Sequence, residues 1–172
     1  MLGLPGARRF PNDPTGELDA TMHILILRDP RESKAKCSLT PLRGMRELRF
    51  VEYHPERRLE AGERVLLHPD GEELSGADRG RDLLLVDCSW RRVDKLIATV
   101  EGSLVRRRLP PLETAYPRKS KTFQDPSGGL ASVEALYAAC LLMGEERAEF
   151  LAEYRWKEEF LRRNAGRLQP TP

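Results

Sequence analysis

Cysteine and histidine are scarce in this chain, and long apolar runs are absent. Cys37, Cys88 and Cys140 stand far apart, odd in number and without a CxxC pair, which argues against a disulfide framework or a zinc ribbon and reads as reduced thiols. His23, His54 and His68 show no HxxxH or HExxH spacing, so no metal site is expected. No apolar run approaches the ~18 residues of a membrane span, and no membrane association is expected. The opening MLGLPGARRFPNDPTGELDA has no apolar core of a secretory signal and is rich in proline and glycine. Residues 1–21 therefore read as a flexible tail, with a cytoplasmic location expected.

What is present is a globular composition: 172 residues, 40% hydrophobic and 33% charged, enough for one ordinary domain or two small lobes sharing a core. Net charge is only +2, but it is unevenly spread. Residues 28–49 carry +4 and residues 91–121 carry +6, and they bracket an acidic span, 52–87, of -5. Brought to one face, the basic stretches form the footprint a polyanion needs; left apart, they are solvated surface charge.

Short apolar runs at 22–27 (MHILIL), 48–53, 64–68 (RVLLH) and 83–86 (LLLV) have strand length. Ser75 is placed to cap a short helix through Arg79. Apolar residues at 90, 93, 96, 97 and 100 have helical spacing, closed by Gly102. Leu109 to Gly129 is a long proline-rich loop, the kind that carries function in compact domains. Ser132 is placed to cap a helix over 133–143 that is apolar nearly all round, and 145–164 predicts a more amphipathic helix. Strands that are wholly apolar, alternating with helices, predict an α/β fold with a mostly parallel sheet flanked by helices.

In such a sheet, ligands bind beyond the carboxyl ends of the strands, which makes the turn Asp87-Cys88-Ser89-Trp90 after LLLV the most informative position. Its carboxylate, hydroxyl and indole can supply a base, a donor and an apolar or cation-binding wall. Helix capping by Asp87 or Ser89 and burial of Trp90 are the alternative reading. Cys88 reads as an inert thiol, Gly128-Gly129 as a turn, and His68, Glu134 and Tyr137 as packing or capping residues.

Three ordered motifs, LLLVDCSW (83–90), LPPLETAYP (109–117) and LASVEALYAA (130–139), resemble the ribosomal-RNA aminocarboxypropyltransferases of ribosome maturation. They are similar also to the DTW-domain tRNA aminocarboxypropyltransferases. The resemblance runs over residues 22–163. It implies a SPOUT-like fold with a C-terminal trefoil knot, an α/β lobe over 22–82 and a cofactor-bearing lobe over 83–172. The implied enzyme uses S-adenosylmethionine as co-substrate to transfer the 3-amino-3-carboxypropyl group to a uridine or pseudouridine ring nitrogen. The RNA would be small-subunit ribosomal RNA, or alternatively tRNA. A SPOUT-type RNA methyltransferase and a non-catalytic RNA-binding assembly factor are the other readings.

By position in the resemblance, Trp90 would wall the methyl and sulfonium, with Val93 beside it. Leu66 or Leu67 and Leu109 would hold adenine and ribose through backbone groups, and Ser38 the methionine carboxylate. Asp87 is the candidate for taking the acceptor proton. Arg31, Lys34, Lys36, Arg91, Arg106, Arg107 and Arg108 would face RNA, and a monomer is expected. The chain departs from the ribosomal family in keeping only Cys37 of a cysteine pair, and its proline loop lacks that family's asparagines; the loop is nearer the DTW pattern, without that group's front cysteines.

Overall fold

A computed structural model describes residues 21–117 and 129–169. The tail before Thr21, the basic residues Arg118, Lys119 and Lys121, and Gly128 lie outside the described residues. Five strands, β1 (Ile24–Arg28), β2 (Leu48–Glu52), β3 (Leu59–Glu73), β4 (Leu83–Asp87) and β5 (Val100–Arg108), form one sheet in the order β2-β1-β4-β3-β5. Every pairing among them is parallel. β1 and β4 run side by side in the middle and are apolar on both faces because both faces are covered.

Alternation along the strands sorts side chains between two cores. Ile24, Ile26, Val65, Leu83 and Leu85 face α2 (Ser132–Leu142), together with Leu136, Phe150 and Phe160. Leu25, Leu27, Leu66 and Leu84 face the other way, onto Leu96 of α1 (Val93–Ile97), Tyr53 and Leu59. α2 is buried nearly all round, as its composition requires. The same parity carries Arg28 and Asp87 to the α2 side, at the carboxyl ends of their strands.

Four expectations need correction. Residues 90–100 do not make one helix: a 3-10 turn, Trp90–Arg92, leads into the five-residue α1. Thr99 then closes that helix by bonding Leu96 O through both its amide and its hydroxyl. Gly102 is no helix stop but lies inside β5, where a Cβ would sit 2.4 Å from Gly62 O of β3. β5 itself escaped the sequence pattern because an exposed edge strand ending in three arginines shows little apolar alternation. Residues 145–164 are likewise broken, into a 3-10 turn (Ala148–Leu151) and α3 (Lys157–Asn164). Between them the Tyr154 hydroxyl donates to Glu134, and Trp156 stacks edge-on against Tyr116 and Tyr154; these tertiary contacts override local helix propensity.

Ser75, as expected, caps a short turn (Gly76–Asp78), accepting from Ala77 N while Asp78 accepts from Ser75 N. Ser132 does not cap α2. It is the first residue of that helix, and the cap comes from outside: Ser38 Oγ accepts from Val133 N at 3.1 Å.

Candidate active site

Because all five strands run the same way, their carboxyl ends share one rim, and the segments leaving it include 29–39 after β1, 88–92 after β4 and 109–117 after β5. Asp87 is the hub. Its Oδ1 accepts from the Ser132 hydroxyl at 2.6 Å, and its Oδ2 accepts from the Cys37 thiol at 3.2 Å. The Arg28 guanidinium, its register partner on β1, lies 3.6 Å from Oδ2. One side chain thus ties β4 to β1, to the loop bearing Cys37 and Ser38, and to the start of α2.

A second acid–base pair lies one residue further on. Asp29 is fully buried, holds the Arg31 amide and is bonded by Arg92 Nε, while the Arg92 guanidinium lies over the Tyr53 ring. The thiols here are not nucleophiles. Burial, then the Asp29 and Asp87 carboxylates, pushes Cys88 up to about 12, and burial and Asp87 also raise Cys37, so both stay protonated at neutral pH.

The indole of Trp90 is 40% exposed at this rim, the only large apolar side chain so exposed among the described residues. It is therefore available to a ligand and is not core. Ser89 makes no side-chain cap. Val93 is buried behind Trp90's turn; Leu66 points into the α1-side core, and Leu67 and Leu109 are half-buried on the α2 side.

The loop 109–117 is pinned firmly. Glu134 is wholly buried, and its carboxylate accepts from the Thr114 hydroxyl (2.7 Å), Ala115 N (2.9 Å), Ala131 N (2.9 Å) and the Tyr154 hydroxyl (2.9 Å). Asn164 of α3, also buried, accepts from Glu113 N and donates to Glu113 O. Arg163 donates to Thr114 O, and Arg167 to Pro111 O. Sequence reasoning read Glu134 as mere packing or capping and did not single out Asn164 or Arg28. A buried acid in an otherwise apolar helix was the available signal for Glu134; Arg28 and Asn164 gave none.

Of the basic candidates, Arg31, Lys34 and Lys36 are exposed on the segment after β1, Lys34 pairing with Glu52. Arg91 is exposed after β4, and Arg106 is exposed near the end of β5. Arg107 is engaged with buried Asp78 and with Glu72, and Arg108 with Glu73 and Gly71 O.

Residues 64–170 match the family described as ribosome biogenesis protein, C-terminal. The chain belongs to this family. It is 38% identical over 95 residues to a 16S rRNA aminocarboxypropyltransferase of Vulcanisaeta distributa, covering 51% of this chain and 49% of that protein. It is 36% identical to proteins of the same description from Methanopyrus kandleri, over 61% of this chain and 64% of that one, and Halobacterium salinarum, over 61% and 62%. The chain thus spans about half to under two thirds of the length of these relatives. Its fold is similar to the solved structure of the SAM-dependent rRNA:acp-transferase Tsr3 from V. distributa, with a TM-score of 0.67 and 29% identity over 86% of this chain and 80% of that one. For this member of the family, the matched span includes β4, the Asp87 turn, the proline loop and α2, so the rim just described lies largely inside it.

Proposed function

We propose that this chain transfers the 3-amino-3-carboxypropyl group of S-adenosylmethionine to a uridine or pseudouridine ring nitrogen, with small-subunit ribosomal RNA as substrate. The observation that carries the reading is the shared fold, at 29% identity over 86% of the chain, with an acp-transferase. The residues at the rim fit the co-substrate: an exposed indole suits the sulfonium and its methyl, and the Ser38 hydroxyl beside the amino end of α2 suits a carboxylate. Val93 backs the indole, and backbone groups of Leu66 or Leu67 and Leu109 line the nucleoside side.

S-adenosylmethionine supplies an electrophilic γ-carbon: the new N–C bond forms as the C–S bond breaks, and its electron pair stays on sulfur in released methylthioadenosine. What this chain's residues do is orient and take a proton. Trp90 covers the methyl, leaving the γ-carbon toward the acceptor. Asp87, held between Ser132 and Cys37, accepts the proton that the ring nitrogen loses. Arg31, Lys34, Lys36, Arg91 and Arg106 face the RNA, with Arg107 and Arg108 spent largely on internal pairs. The α/β sheet is read as SPOUT-like with a C-terminal knot, and the protein as a cytoplasmic monomer.

Co-product analysis after incubation with S-adenosylmethionine and unmodified ribosomal RNA tests the proposal. Methylthioadenosine, formed only with RNA present, is expected. S-adenosylhomocysteine in its place would make the enzyme a methyltransferase, and neither product with RNA binding intact would leave an assembly factor.

A further inference from the structure

Arg28 is the anomaly of the rim. Only 1% exposed, it sends Nη2 to Glu32 O at 3.2 Å, yet Nε and Nη1 are buried without a hydrogen-bond partner. Buried polar groups are nearly always paired, and an unpaired one calls for a reason. Its nearest charge is Asp87, at 3.6 Å, close enough for strong attraction in a dry site and too far for a good hydrogen bond. The contact therefore sets a countercharge beside Asp87 without occupying the lone pairs a base needs. Ser132 and Cys37 each take one further position on the carboxylate, and neither brings positive charge.

We propose that Arg28 is a positioning residue that acts through Asp87, the buried countercharge that holds the Asp87 carboxylate in place and aimed at the acceptor proton. The inference rests on the transferase reading above. The other charged groups near Asp87 do not replace it. Asp29, next to Arg28 on β1, is already bonded by Arg92 of the turn after β4. Cys37 and Cys88 are neutral thiols, and Glu32 adds negative charge on the segment after β1. α2 presents the Ser132 hydroxyl and the partial positive charge of its amino end to the carboxylate, but no full countercharge.

The test is the separate measurement of kcat and KM for transfer to RNA by the full chain, comparing wild type with Arg28→Lys and Arg28→Met. Thermal unfolding and S-adenosylmethionine affinity are measured alongside. A misaimed carboxylate slows the chemical step without touching substrate binding, so Arg28→Met should lower kcat by roughly tenfold or more with KM near wild type, while Arg28→Lys restores most of the rate. A folded Arg28→Met that binds S-adenosylmethionine and retains the wild-type kcat overturns the proposal. Should Arg28→Met fail to fold, the double variant Arg28→Met/Asp87→Asn decides: recovery of folding supports charge pairing, and equal failure assigns Arg28 to packing alone and overturns it. An inactive wild type refutes the transferase reading, and full-rate Asp87→Asn refutes the role of Asp87; both are distinct from an unchanged kcat in Arg28→Met.

Discussion

Asp87 gathers a hydroxyl from α2, a thiol from the segment after β1 and a guanidinium from a neighbouring strand into one carboxylate. Its place at the end of an apolar strand was legible in the sequence, as was Trp90 three residues on as a candidate wall, but the exposure of Trp90 was not, since burial in the core read equally well. Arg28 was not, because its role follows from a register of Arg28 against Asp87 that only the folded sheet fixes. Ser132 was legible as a helix start yet not as a partner of Asp87, since a cap and a side-chain donor look alike in one dimension. Trp90→Ala should weaken S-adenosylmethionine binding by about tenfold or more, seen by calorimetry, with thermal stability nearly unchanged because an exposed side chain contributes little to folding. The thiols give a second expectation. Burial raises Cys88 and Cys140 from the ordinary 9.0 to about 12, so the folded state holds protons that the unfolded chain has released. Stability from this source is complete below pH 9, falls as pH rises from there and is gone by about 12. Urea midpoints between pH 8 and 11 should decline, less steeply in Cys88→Ser.

At the scale of elements, the segment 111–116 buries Leu112 and Ala115 and sets Tyr116 against Trp156, and its backbone is held by α2 and α3. Glu134 and Asn164 hold it from two helices by short hydrogen bonds made from buried side chains. Glu134→Ala would orphan two backbone amides, Ala115 N and Ala131 N, at roughly 2–4 kcal/mol of stability. Asn164→Ala should cost less stability and raise the KM for S-adenosylmethionine more than it lowers kcat, because it loosens the loop that includes Leu109's neighbours and leaves Asp87 in place. An unchanged KM would show that this loop does not shape the co-substrate site. The loop itself was legible from its prolines. Its anchoring was not, because Asn164 lies 51 positions from Glu113 and a lone asparagine in a charged helix gives no signal. β5 was missed for a related reason: its pairing with β3, rather than its own pattern, makes it a strand.

For the whole molecule, the parallel sheet follows from strands apolar on both faces, and that much was readable from MHILIL and LLLV. The order β2-β1-β4-β3-β5 was not, since nothing local states that β1 and β4 are neighbours. The common strand direction sets the basic segments after β1, β4 and β5 on one rim, and the order sets Arg28 of β1 beside Asp87 of β4. The salt dependence of RNA binding should therefore become shallower when Arg31, Lys36 and Arg106 are neutralised, by roughly one unit of slope for each phosphate that the protein no longer neutralises. Arg107→Gln, by contrast, should change stability more than slope, because its charge is spent on Asp78.

The most direct measurement uses two preparations of S-adenosylmethionine, one labelled in the aminocarboxypropyl chain and one in the methyl group, each incubated with the protein and unmodified total RNA that is then resolved by size. Chain label in small-subunit ribosomal RNA, with methyl label confined to methylthioadenosine, is the predicted result. Methyl label in RNA, or chain label in none of the RNA, would contradict it.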